Sequence, residues 1–542
     1  MFFFAERGAR AASILLLLSA CSGGGGSEEP SEAKLEVTFD PPAGAFVGSQ
    51  SVTLRSLPGA EIHYTVDGSL PSAASPRYSA PLMLTKSTRL VAQAIIPVAM
   101  GAPASALEQR SAVVGSRYLR VAADAAEFSS HLPIALIHTF ESGALDAQSD
   151  EHVPAMLSIQ EPQAGATRVV SRSVLDTPIG IHVRGATSRG FAKKQYAVEL
   201  RAEGGDKGRA RALLGMPAGE DWVFNDAIQM DRSLVRNALA YELSNRIGRY
   251  APRTRFVEAY LVEDGGDVDA QSFVGLFTVM EKIRRGPERI NVQALADSGA
   301  ASELSGGYVL AIDKGDVHFM GAGQSWQFVY PDAALMQQTR MKPYVDFIRT
   351  YVEDFGKAIN AKDFKHPQTG KSYSAYIDVD AFVDHNILNT LLKNVDALRI
   401  SAYFFKDRDG LLQAGPLWDF DRSSGTPYDD RAKNPEEWKL AGSDGTDYFA
   451  QGFWAALFRD PEFRARYRAR FLELLKGKLS PDQMDQAIDG LVANIGAAAA
   501  RDFARWTGTP AKDGSHKAEV TLLKTFLRRR AVWIQAQLEA GF

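Results

Sequence analysis

Residues 393–422, KNVDALRISAYFFKDRDGLLQAGPLWDFDR, place two aspartates on either side of a predicted β-hairpin. Residues 401–406 are typical of a strand, and the DRDG that follows is typical of a tight turn leading into a second strand. Because a tight turn brings the outer ends of its strands together, Asp396 and Asp419 should emerge at the same end of the hairpin. Two carboxylates so placed suit phosphoryl transfer, in which one accepts a hydroxyl proton and the other holds Mg²⁺.

Asp419 belongs to the short motif Asp419-Phe420-Asp421. Residues i and i+2 of an extended segment point to the same side, so both carboxylates can face one cation. Hard oxygen ligands are those that Mg²⁺ prefers. Arg422 and Lys406 could instead neutralise the two aspartates as a structural cluster. Considered together with Asp396, the motif favours a metal site.

The loop RGATSRG, residues 184–190, joins two candidate antiparallel strands and is a second candidate site. Gly185 and Gly190 would allow a ligand to approach the backbone closely, and Arg184 and Ser188 suit a phosphate chain. The loop lacks the GxGxxG pattern, so an ordinary polar hairpin loop fits the same residues.

The strand predicted after this loop contains a lysine on its apolar face. Alternation puts Lys194 on the side of Tyr196 and Val198, and it puts Lys193 outside. A lysine on the buried side needs an anionic partner. That partner could be a nucleotide phosphate or a structural carboxylate, and Glu242 on a predicted helix is one candidate.

Glu281 stands in the segment Met280-Glu281-Lys282-Ile283, at the end of a predicted strand over residues 273–280. Such a position between two lobes could present backbone groups to an adenine ring. An ordinary strand end with surface charges fits the same pattern, and spacing alone does not separate the two.

Composition excludes several classes of protein. The chain has 542 residues, enough for two to four domains, with 45% hydrophobic and 23% charged residues. Its net charge of −4 and the absence of a basic tract argue against nucleic-acid binding. The nine histidines form no HExxH or paired-ligand spacing, which argues against a zinc enzyme.

Two kinds of hydrolase fit these motifs less well. Residues 186–190 resemble a nucleophile elbow around Ser188, but they lack its first glycine and follow a hairpin strand, which argues against a serine hydrolase. A glycosidase needs two carboxyls roughly 5–9.5 Å apart. Its cleft usually carries several aromatic residues around the pair, and no such cluster is evident in the sequence.

The N-terminus is predicted to be an export signal. Arg7 and Arg10 precede the apolar run 11–18, and Ser19-Ala20-Cys21 follows. Leu18-Ser19-Ala20-Cys21 resembles a bacterial lipoprotein box, whose cysteine is lipidated after cleavage. We therefore predict a signal peptide over residues 1–21, lipidation at Cys21, and an extracytoplasmic protein anchored to a bacterial membrane. Cys21 is the only cysteine, so an internal disulfide is excluded.

The mature chain is predicted to contain two folded parts. A flexible tether (22–33) precedes a small all-β sandwich (34–100), and an Ala/Ser-rich linker (101–128) leads to the main domain (129–542). The main domain has a β-rich first part and a helix-rich second part, so the fold class is α+β. No internal repeat is visible.

Helix-capping signals mark three helices of the main domain. A helix is predicted over residues 232–247, with Asp231 as its N-cap and Gly248 as its stop. Asp460 and Ser480 each precede a proline, which predicts two further helix starts.

The all-β segment resembles a known accessory module. His63-Tyr64-Thr65-Val66-Asp67-Gly68-Ser69-Leu70-Pro71-Ser72, with Ser75, Tyr78 and Pro81-Leu82 after it, is similar to the chitobiase/β-hexosaminidase C-terminal-type module. The resemblance implies a spacer or accessory domain of secreted proteins, with glycan contact through residues 34–100 as one role.

The main domain resembles the spore coat protein H (CotH) kinase-like family. The matching stretches span about residues 130–460: Arg184-Gly185, Lys193-Lys194-Gln195-Tyr196, Asp221-Trp222-Val223-Phe224-Asn225, residues 231–237 (DRSLVRN), residues 250–258 (YAPRTRFVE), Gly275-Leu276-Phe277, Glu281-Lys282-Ile283, Asn394-Val395-Asp396 and Trp418-Asp419-Phe420-Asp421. The resemblance implies a divergent, two-lobed protein-kinase-like fold that uses ATP and Mg²⁺.

By that resemblance, Lys194 binds the ATP phosphates, Asp396 is the catalytic aspartate, and Asp419 holds the metal, with Asp421 as its neighbour. The candidate nucleotide-binding set therefore comprises Lys194, Arg184, Gly185, Ser188, Gly190 and Glu281. Protein kinases carry a metal-binding asparagine five residues after the catalytic aspartate, where this chain has Ser401. A hydroxyl is a poorer ligand than an amide carbonyl, so the resemblance leaves the second metal ligand open.

The sequence thus predicts transfer of the γ-phosphoryl of ATP to Ser or Thr hydroxyls of envelope or secreted proteins. A non-catalytic envelope or carbohydrate-binding protein that retains the fold is the alternative.

Overall fold

A computed structural model describes residues 34–97, 108–205, 207–295, 300–439, 446–508 and 515–541. The predicted signal peptide with Cys21 and the predicted tether lie outside these residues. The described fold is α+β with an all-β N-terminal region, which confirms the predicted class. Within these ranges, no helix is both long enough and apolar enough to cross a membrane.

The N-terminal region consists of two packed β-sheets. Its strands are β1 (Thr38–Asp40), β2 (Gly44–Phe46), β3 (Gln50–Arg55), β4 (Glu61–Thr65), β5 (Leu82–Leu84), β6 (Thr88–Ile96), β7 (Gln109–Arg110) and β8 (Val114–Arg120). One sheet has the order β1-β3-β5 and the other β2-β8-β6-β4, with β7 paired to β6. Val52 and Leu54 of β3 and Leu90 of β6 belong to a single core shared by the two sheets.

The prediction of a linker over residues 101–128 is wrong for its described part. Strand β8 lies inside the second sheet, antiparallel to β6 and parallel to β2. It contributes Tyr118 to the sandwich core. The Ala/Ser-rich stretch before it suggested a linker, but the sequence of β8 itself, VGSRYLR, is compatible with a strand.

A β-barrel follows the sandwich. The strands of this part are β9 (Ser129–Ser130), β10 (Ile134–His138), β11 (Val153–Gln160), β12 (Thr167–Arg168), β13 (Ser173–Val183), β14 (Tyr196–Leu200), β15 (Arg211–Leu213), β16 (Met216–Gly219), β17 (Asp221–Asn225), β18 (Thr254–Val262) and β19 (Phe273–Glu281). The barrel runs β10-β11-β13-β14-β17-β19-β18 and closes where β18 pairs in parallel with β10. Alternate residues such as Ile181, Val198 and Trp222 fill its interior.

A second sheet and most of the helices form the remainder. The sheet has the order β21-β22-β20-β23-β24. Its strands are β20 (Tyr308–Ile312), β21 (Phe319–Gly321), β22 (Gln324–Tyr330), β23 (Ala402–Lys406) and β24 (Gln413–Ala414). The helices are α1 (Ala123–Ala126), α2 (Arg236–Ile247), α3 (Ala333–Met336), α4 (Lys342–Asn360), α5 (Val379–Leu391), α6 (Trp454–Leu457), α7 (Pro461–Lys476), α8 (Pro481–Ile495), α9 (Ala498–Arg505) and α10 (His516–Glu539).

The predicted helix ends are confirmed for α7 and α8 and in part for α2. Asp460 accepts a hydrogen bond from the Glu462 amide, and Ser480 accepts one from the Gln483 amide. Helix α2 ends at Gly248, which has φ 94°, but it begins at Arg236 rather than at residue 232. Asp231 instead accepts from the amides of Ser233 and Arg236, so it organises the turn before the helix.

Helix α9 closes one side of the barrel with two opposite charges. Arg501 Nε lies 2.7 Å from Glu258 Oε1, and Asp502 Oδ1 lies 2.8 Å from Lys193 Nζ. Glu258 and Lys193 are both buried barrel residues. Asp502 Oδ1 also accepts from the Leu276 amide at 2.9 Å. The end of the chain therefore neutralises charges that the barrel itself leaves buried.

The sandwich is docked on the barrel through ion pairs. Arg117 of β8 is buried between Asp176 and Glu203 of the barrel region. Burial raises the pKa of Asp176 to about 7, and the neighbouring Arg117 opposes that rise. Arg120 lies 2.8 Å from Asp267. These contacts fix the sandwich against the barrel instead of leaving it on a free linker.

Candidate functional site

A cavity of about 300 Å³ lies between the barrel and the sheet formed by strands β20 to β24. The predicted residues that line it are Asp396, Asp419, Asp421, Arg184, Gly185 and Ser188. Three of the other predicted residues, Lys194, Gly190 and Glu281, do not line it. Carboxylates from one part of the chain and a basic loop from another therefore share one space.

The hairpin that carries the aspartates is confirmed. Strands β23 and β24 pair antiparallel, with Phe404 opposite Ala414 and Phe405 opposite Gln413. The turn closes with the Gly410 amide donating to the Asp407 carbonyl. Asp396 and Asp419 both line the cavity, as expected for the outer ends of one hairpin.

The backbone at Asp419 is held in a strained conformation. Asp419 has φ 65°, a left-handed value that is uncommon for a residue other than glycine. Its amide donates to the hydroxyl of Tyr241 at 3.2 Å, and the Phe420 amide donates to Asn237 Oδ1 at 2.6 Å. Asn237 and Tyr241 are one turn apart on α2, so this helix fixes the direction of the aspartate.

Asp419 and Asp421 are neighbouring carboxyls at the cavity, where Asp419 is exposed and Asp421 is half-buried. The surrounding cavity wall reduces the hydration of Asp419 and raises the pKa of its carboxyl above the usual value, and Arg184 opposes that rise. Burial, reinforced by Asp419, raises the pKa of Asp421 well above its usual value. Two acids in this environment need either a shared proton or a cation between them.

The donor set of this pair fits a magnesium ion that is completed by a substrate. Mg²⁺ is usually held by one or two carboxylates together with phosphate oxygens and waters. No group of three or more His, Cys, Asp or Glu suited to a metal occurs in the part of the chain that the structure describes. Two carboxylates that face a cavity agree with a Mg²⁺ site that phosphate oxygens and waters complete.

Asp396 is surrounded by guanidinium groups. Arg399 and Arg431 each approach its Oδ1 at 3.3 Å, and Arg422 approaches its Oδ2 at 3.6 Å. Arg422 and Arg431 also bind Asp429, at 2.6 and 2.8 Å. Positive charge at this place could stabilise negative charge on a transferring phosphoryl group.

The alternative in which Arg422 and Lys406 neutralise Asp419 and Asp421 is only half right. Arg422 does pair with Asp396 and opposes the rise in the pKa of Asp421. Lys406 donates to the carbonyl of Asp407 at 3.2 Å, at the turn end of the hairpin. Burial lowers the pKa of Lys406 to about 8.

The loop 184–190 is built to fold back on itself at the edge of the cavity. It connects β13 to β14, which pair antiparallel as predicted. Gly185 has φ 98°, and a Cβ there would lie 1.9 Å from Ser188 Oγ, so only glycine fits. Arg184 Nη1 donates to Gln195 Oε1 at 2.9 Å, and its guanidinium lies over Trp418. Gly190 ends a short helical turn away from the cavity.

The predicted orientation of the two lysines is wrong. Lys193 is the buried residue, and its Nζ lies 3.1 Å from Asp226 Oδ1 in addition to its contact with Asp502. Lys194 Nζ donates to the carbonyls of Arg189 and Phe191, each at 2.7 Å, and so ties down the loop. Strand β14 starts only at Tyr196, so the two-residue alternation does not extend back to the lysines.

Glu242 and Glu281 also differ from the expectations. Glu242 pairs with Arg246 on its own helix and contacts neither lysine. The Glu281 carboxylate is fully buried, 2.9 Å from Arg253 Nη1 and 3.3 Å from Arg289 Nε. It is thus neither a surface charge nor a lining residue of the cavity. Its neighbour Met280 does line the cavity.

Sequence reasoning missed the residues that support the aspartates. Asn237 lies in the DRSLVRN stretch, and its spacing of four from Tyr241 could have signalled a shared helix face. Arg431 and Asp429 carried no comparable signal, because their contact with Asp396 depends on a loop connection. Their position can only be read from the tertiary structure.

The match to known families agrees with this geometry. The family model for CotH kinase protein matches residues 181–534, a range that includes the cavity loop, both hairpin aspartates and helix α9. The chain belongs to the CotH kinase protein family. This confirms the predicted family. Ser401, in place of the kinase asparagine, lines the same cavity in this CotH kinase family member.

The sandwich corresponds to a second family. The model for the chitobiase/beta-hexosaminidase C-terminal domain matches residues 41–100, as the sequence predicted. A search of curated proteins found no match to this chain. The structure adds β8 to the sandwich, a strand that lies beyond the matched range.

Proposed function

We propose that this chain is an atypical kinase that transfers the γ-phosphoryl of ATP to Ser or Thr hydroxyls of envelope or secreted proteins. The observation that carries the proposal is that Asp396 and the Asp419–Asp421 pair line one cavity together with the loop of Arg184 and Gly185. Membership of the CotH kinase family supports the same class of activity.

Each group has a chemical task in this proposal. Asp396 accepts the proton of the acceptor hydroxyl as the new O–P bond forms. The bond from the γ-phosphorus to the bridging oxygen breaks, and ADP leaves with that oxygen. Asp419 and Asp421 would hold Mg²⁺, which when bound neutralises charge on the phosphate oxygens. Arg184 and Arg422 supply further positive charge at the cavity.

The place of action is part of the proposal. The predicted signal peptide and Cys21 would export the protein and anchor it to a bacterial membrane by a lipid. The sandwich would then lie between the membrane and the kinase domain. Substrates in the envelope or among secreted proteins follow from that location.

The central test is nucleotide-dependent labelling of the purified full chain. Incubation with Mg²⁺ and γ-labelled ATP should label the protein itself or an added envelope extract. Asp396→Asn should reduce labelling by roughly 10²- to 10⁴-fold, the usual contribution of a positioned base. Asp409→Asn is a matched control, because Asp409 is exposed at the turn of the same hairpin and bonds Ser305.

Nucleotide binding provides a second readout that does not need the acceptor. Mg²⁺ with ATP should raise the melting temperature of the wild-type chain and of Asp396→Asn. Mg²⁺ with ATP should not change the melting temperature of Asp419→Asn, because this variant lacks one of the two proposed metal-binding acids. Absence of both labelling and a nucleotide-dependent shift in the wild-type chain would refute the kinase proposal.

A non-catalytic envelope or carbohydrate-binding role is the second candidate. It is favoured by the three arginines that already occupy the Asp396 carboxylate and by the chitobiase-type module. Retention of the chain on chitin or glycan resins without any response to ATP would support this role. Release of the labelled γ-phosphoryl to an acceptor would exclude a purely non-catalytic function.

A further inference from the structure

A second cavity, of about 270 Å³, lies on the other side of the aspartate hairpin. It is formed where the C-terminal end of α2, helix α5 and the returning strand of the hairpin meet. Leu388 of α5, with Phe405 and Leu417 of the hairpin, gives it apolar walls. It shares no lining residue with the cavity that holds Asp396 and Asp419. The proposed kinase activity does not use it.

His385 lines this cavity and is not satisfied by the protein. Its residue exposure is 5%, and neither ring nitrogen has a hydrogen-bond partner in the part of the chain that the structure describes. Burial lowers the pKa of His385 to about 4, so the ring is neutral at physiological pH. A neutral imidazole has one donor and one acceptor nitrogen, and leaving both unpaired in the interior is costly. A ligand that hydrogen-bonds to either nitrogen would therefore lower this cost.

Three of the five other polar side chains that line the cavity are already engaged, and the remaining two are amides that are exposed or half-exposed to solvent. Arg249 is the charged residue among those that line it, and its Nε lies 2.7 Å from Asp384 Oδ2. Ser244 Oγ donates to the Arg249 carbonyl at 2.9 Å, and the Tyr250 hydroxyl donates to Glu281. A cationic ligand would therefore meet a guanidinium and no carboxylate on the cavity wall, whereas an uncharged ligand brings no such cost.

We propose that this cavity binds a small, uncharged, largely apolar ring compound that carries one hydroxyl group, which hydrogen-bonds to His385. The apolar walls would bury the ring, and the hydroxyl can donate to or accept from the imidazole. The volume is sufficient, since apolar cavities of roughly 150 Å³ hold benzene. Pockets with mostly apolar walls and few polar groups are typical small-molecule sites.

The cavity is also connected to the candidate catalytic residues. Leu417 forms part of its wall, and the next residues, Trp418 and Asp419, line the first cavity. A ligand against Leu417 is thus separated from Asp419, a proposed metal ligand, by the single residue Trp418. Trp418 follows Leu417 in the sequence and lines the first cavity. Binding of a ligand in the second cavity should therefore change the fluorescence of the Trp418 indole.

Phenol is the appropriate probe, and toluene is its matched control without the hydroxyl. Ligand-observed NMR with the full chain should show phenol binding about five- to tenfold tighter than toluene, the ratio expected for one neutral hydrogen bond. His385→Phe should remove the preference while keeping an aromatic ring. Leu388→Trp should weaken both ligands because it fills the cavity.

A measurement on the wild-type chain keeps the test valid if a variant does not fold. Phenol should shift the ¹⁵N resonances of one histidine ring with a low pKa, and toluene should not. Equal affinity for phenol and toluene, or no binding of phenol at tens of millimolar, would overturn the proposal. Ordered water bridging both nitrogens in a phenol-soaked crystal would overturn it as well.

Discussion

Replacing Arg501 by leucine should destabilise the barrel from a position on the distant helix α9. The change removes the guanidinium that neutralises Glu258, whose side chain is completely buried in β18. Removing one partner of a buried ion pair costs about 3–5 kcal/mol. The Arg501 side chain is 29% exposed, so water screens the pair and we expect the lower end, about 3 kcal/mol.

The expected change in melting temperature follows from the size of the unfolding unit. If roughly 400 residues unfold together at about 2.1 cal/mol/K each, the unfolding entropy is about 0.85 kcal/mol/K. A loss of about 3 kcal/mol then lowers the melting temperature by about 3–4 °C. Differential scanning calorimetry of the wild-type chain and the variant measures this shift directly.

Two further variants isolate the charge effect. Arg505→Leu removes an arginine from the same helix that donates to the backbone carbonyls of Phe273 and Gln271 and lies over the Trp506 ring, with no ion pair in the described part of the chain. Its loss should cost about 1–2 kcal/mol, because it removes two ordinary hydrogen bonds, one of which is exposed to solvent. Combining Arg501→Leu with Glu258→Gln should recover much of the lost stability. If Arg501→Leu costs no more than Arg505→Leu, or if the double variant is no better, the argument from buried charge is wrong.

Three other predictions concern the cavities. Asp421→Asn should raise the melting temperature of the metal-free chain at neutral pH, because burial raises the pKa of Asp421 and makes its charged form destabilising. This gain should vanish at acid pH, where Asp421 is protonated. The rise in melting temperature that Mg²⁺ with ATP causes should be lost in this variant at every pH. Burial lowers the pKa of His385 to about 4, so this residue contributes stability above pH 6.5 that is lost as the pH falls through 4. The shift corresponds to roughly 3 kcal/mol. The melting temperature of His385→Phe should therefore change less between pH 7 and pH 4 than that of the wild type. Asn237→Ala should weaken Mg²⁺–ATP binding by calorimetry, because the buried Phe420 amide loses its acceptor at a cost of about 1–3 kcal/mol; unchanged affinity would show that α2 does not position Asp419.

Local patterns predicted the hairpin and the helix ends because those features depend on neighbouring residues. The DRDG turn brings Asp396 and Asp419 to one cavity, and Asp460 and Ser480 cap their helices. Turn chemistry and capping act over a few positions, so they can be read from one sequence.

The failures have a common physical cause. The alternation of β14 predicts a buried Lys194 only if the strand is extended two residues too far, and the lysine that is buried, Lys193, pairs with Asp226 and with Asp502, which is 309 positions away. Similarly, β8 looked like part of a linker because its partners lie in β2 and β6. Partners at such separations are chosen by tertiary packing, which a local pattern does not record.

Helix α9 has a consequence for the order in which the molecule is made. Lys193 leaves the ribosome 309 residues before Asp502, and Glu258 leaves it 243 residues before Arg501. At translation rates of about 5–20 residues per second, Asp502 is synthesised roughly 15–60 s after Lys193. Until then the nascent barrel lacks the charges of Arg501 and Asp502, so we expect it to close late in synthesis. A chain that remained open for that time would still be able to pass through a narrow translocation pore.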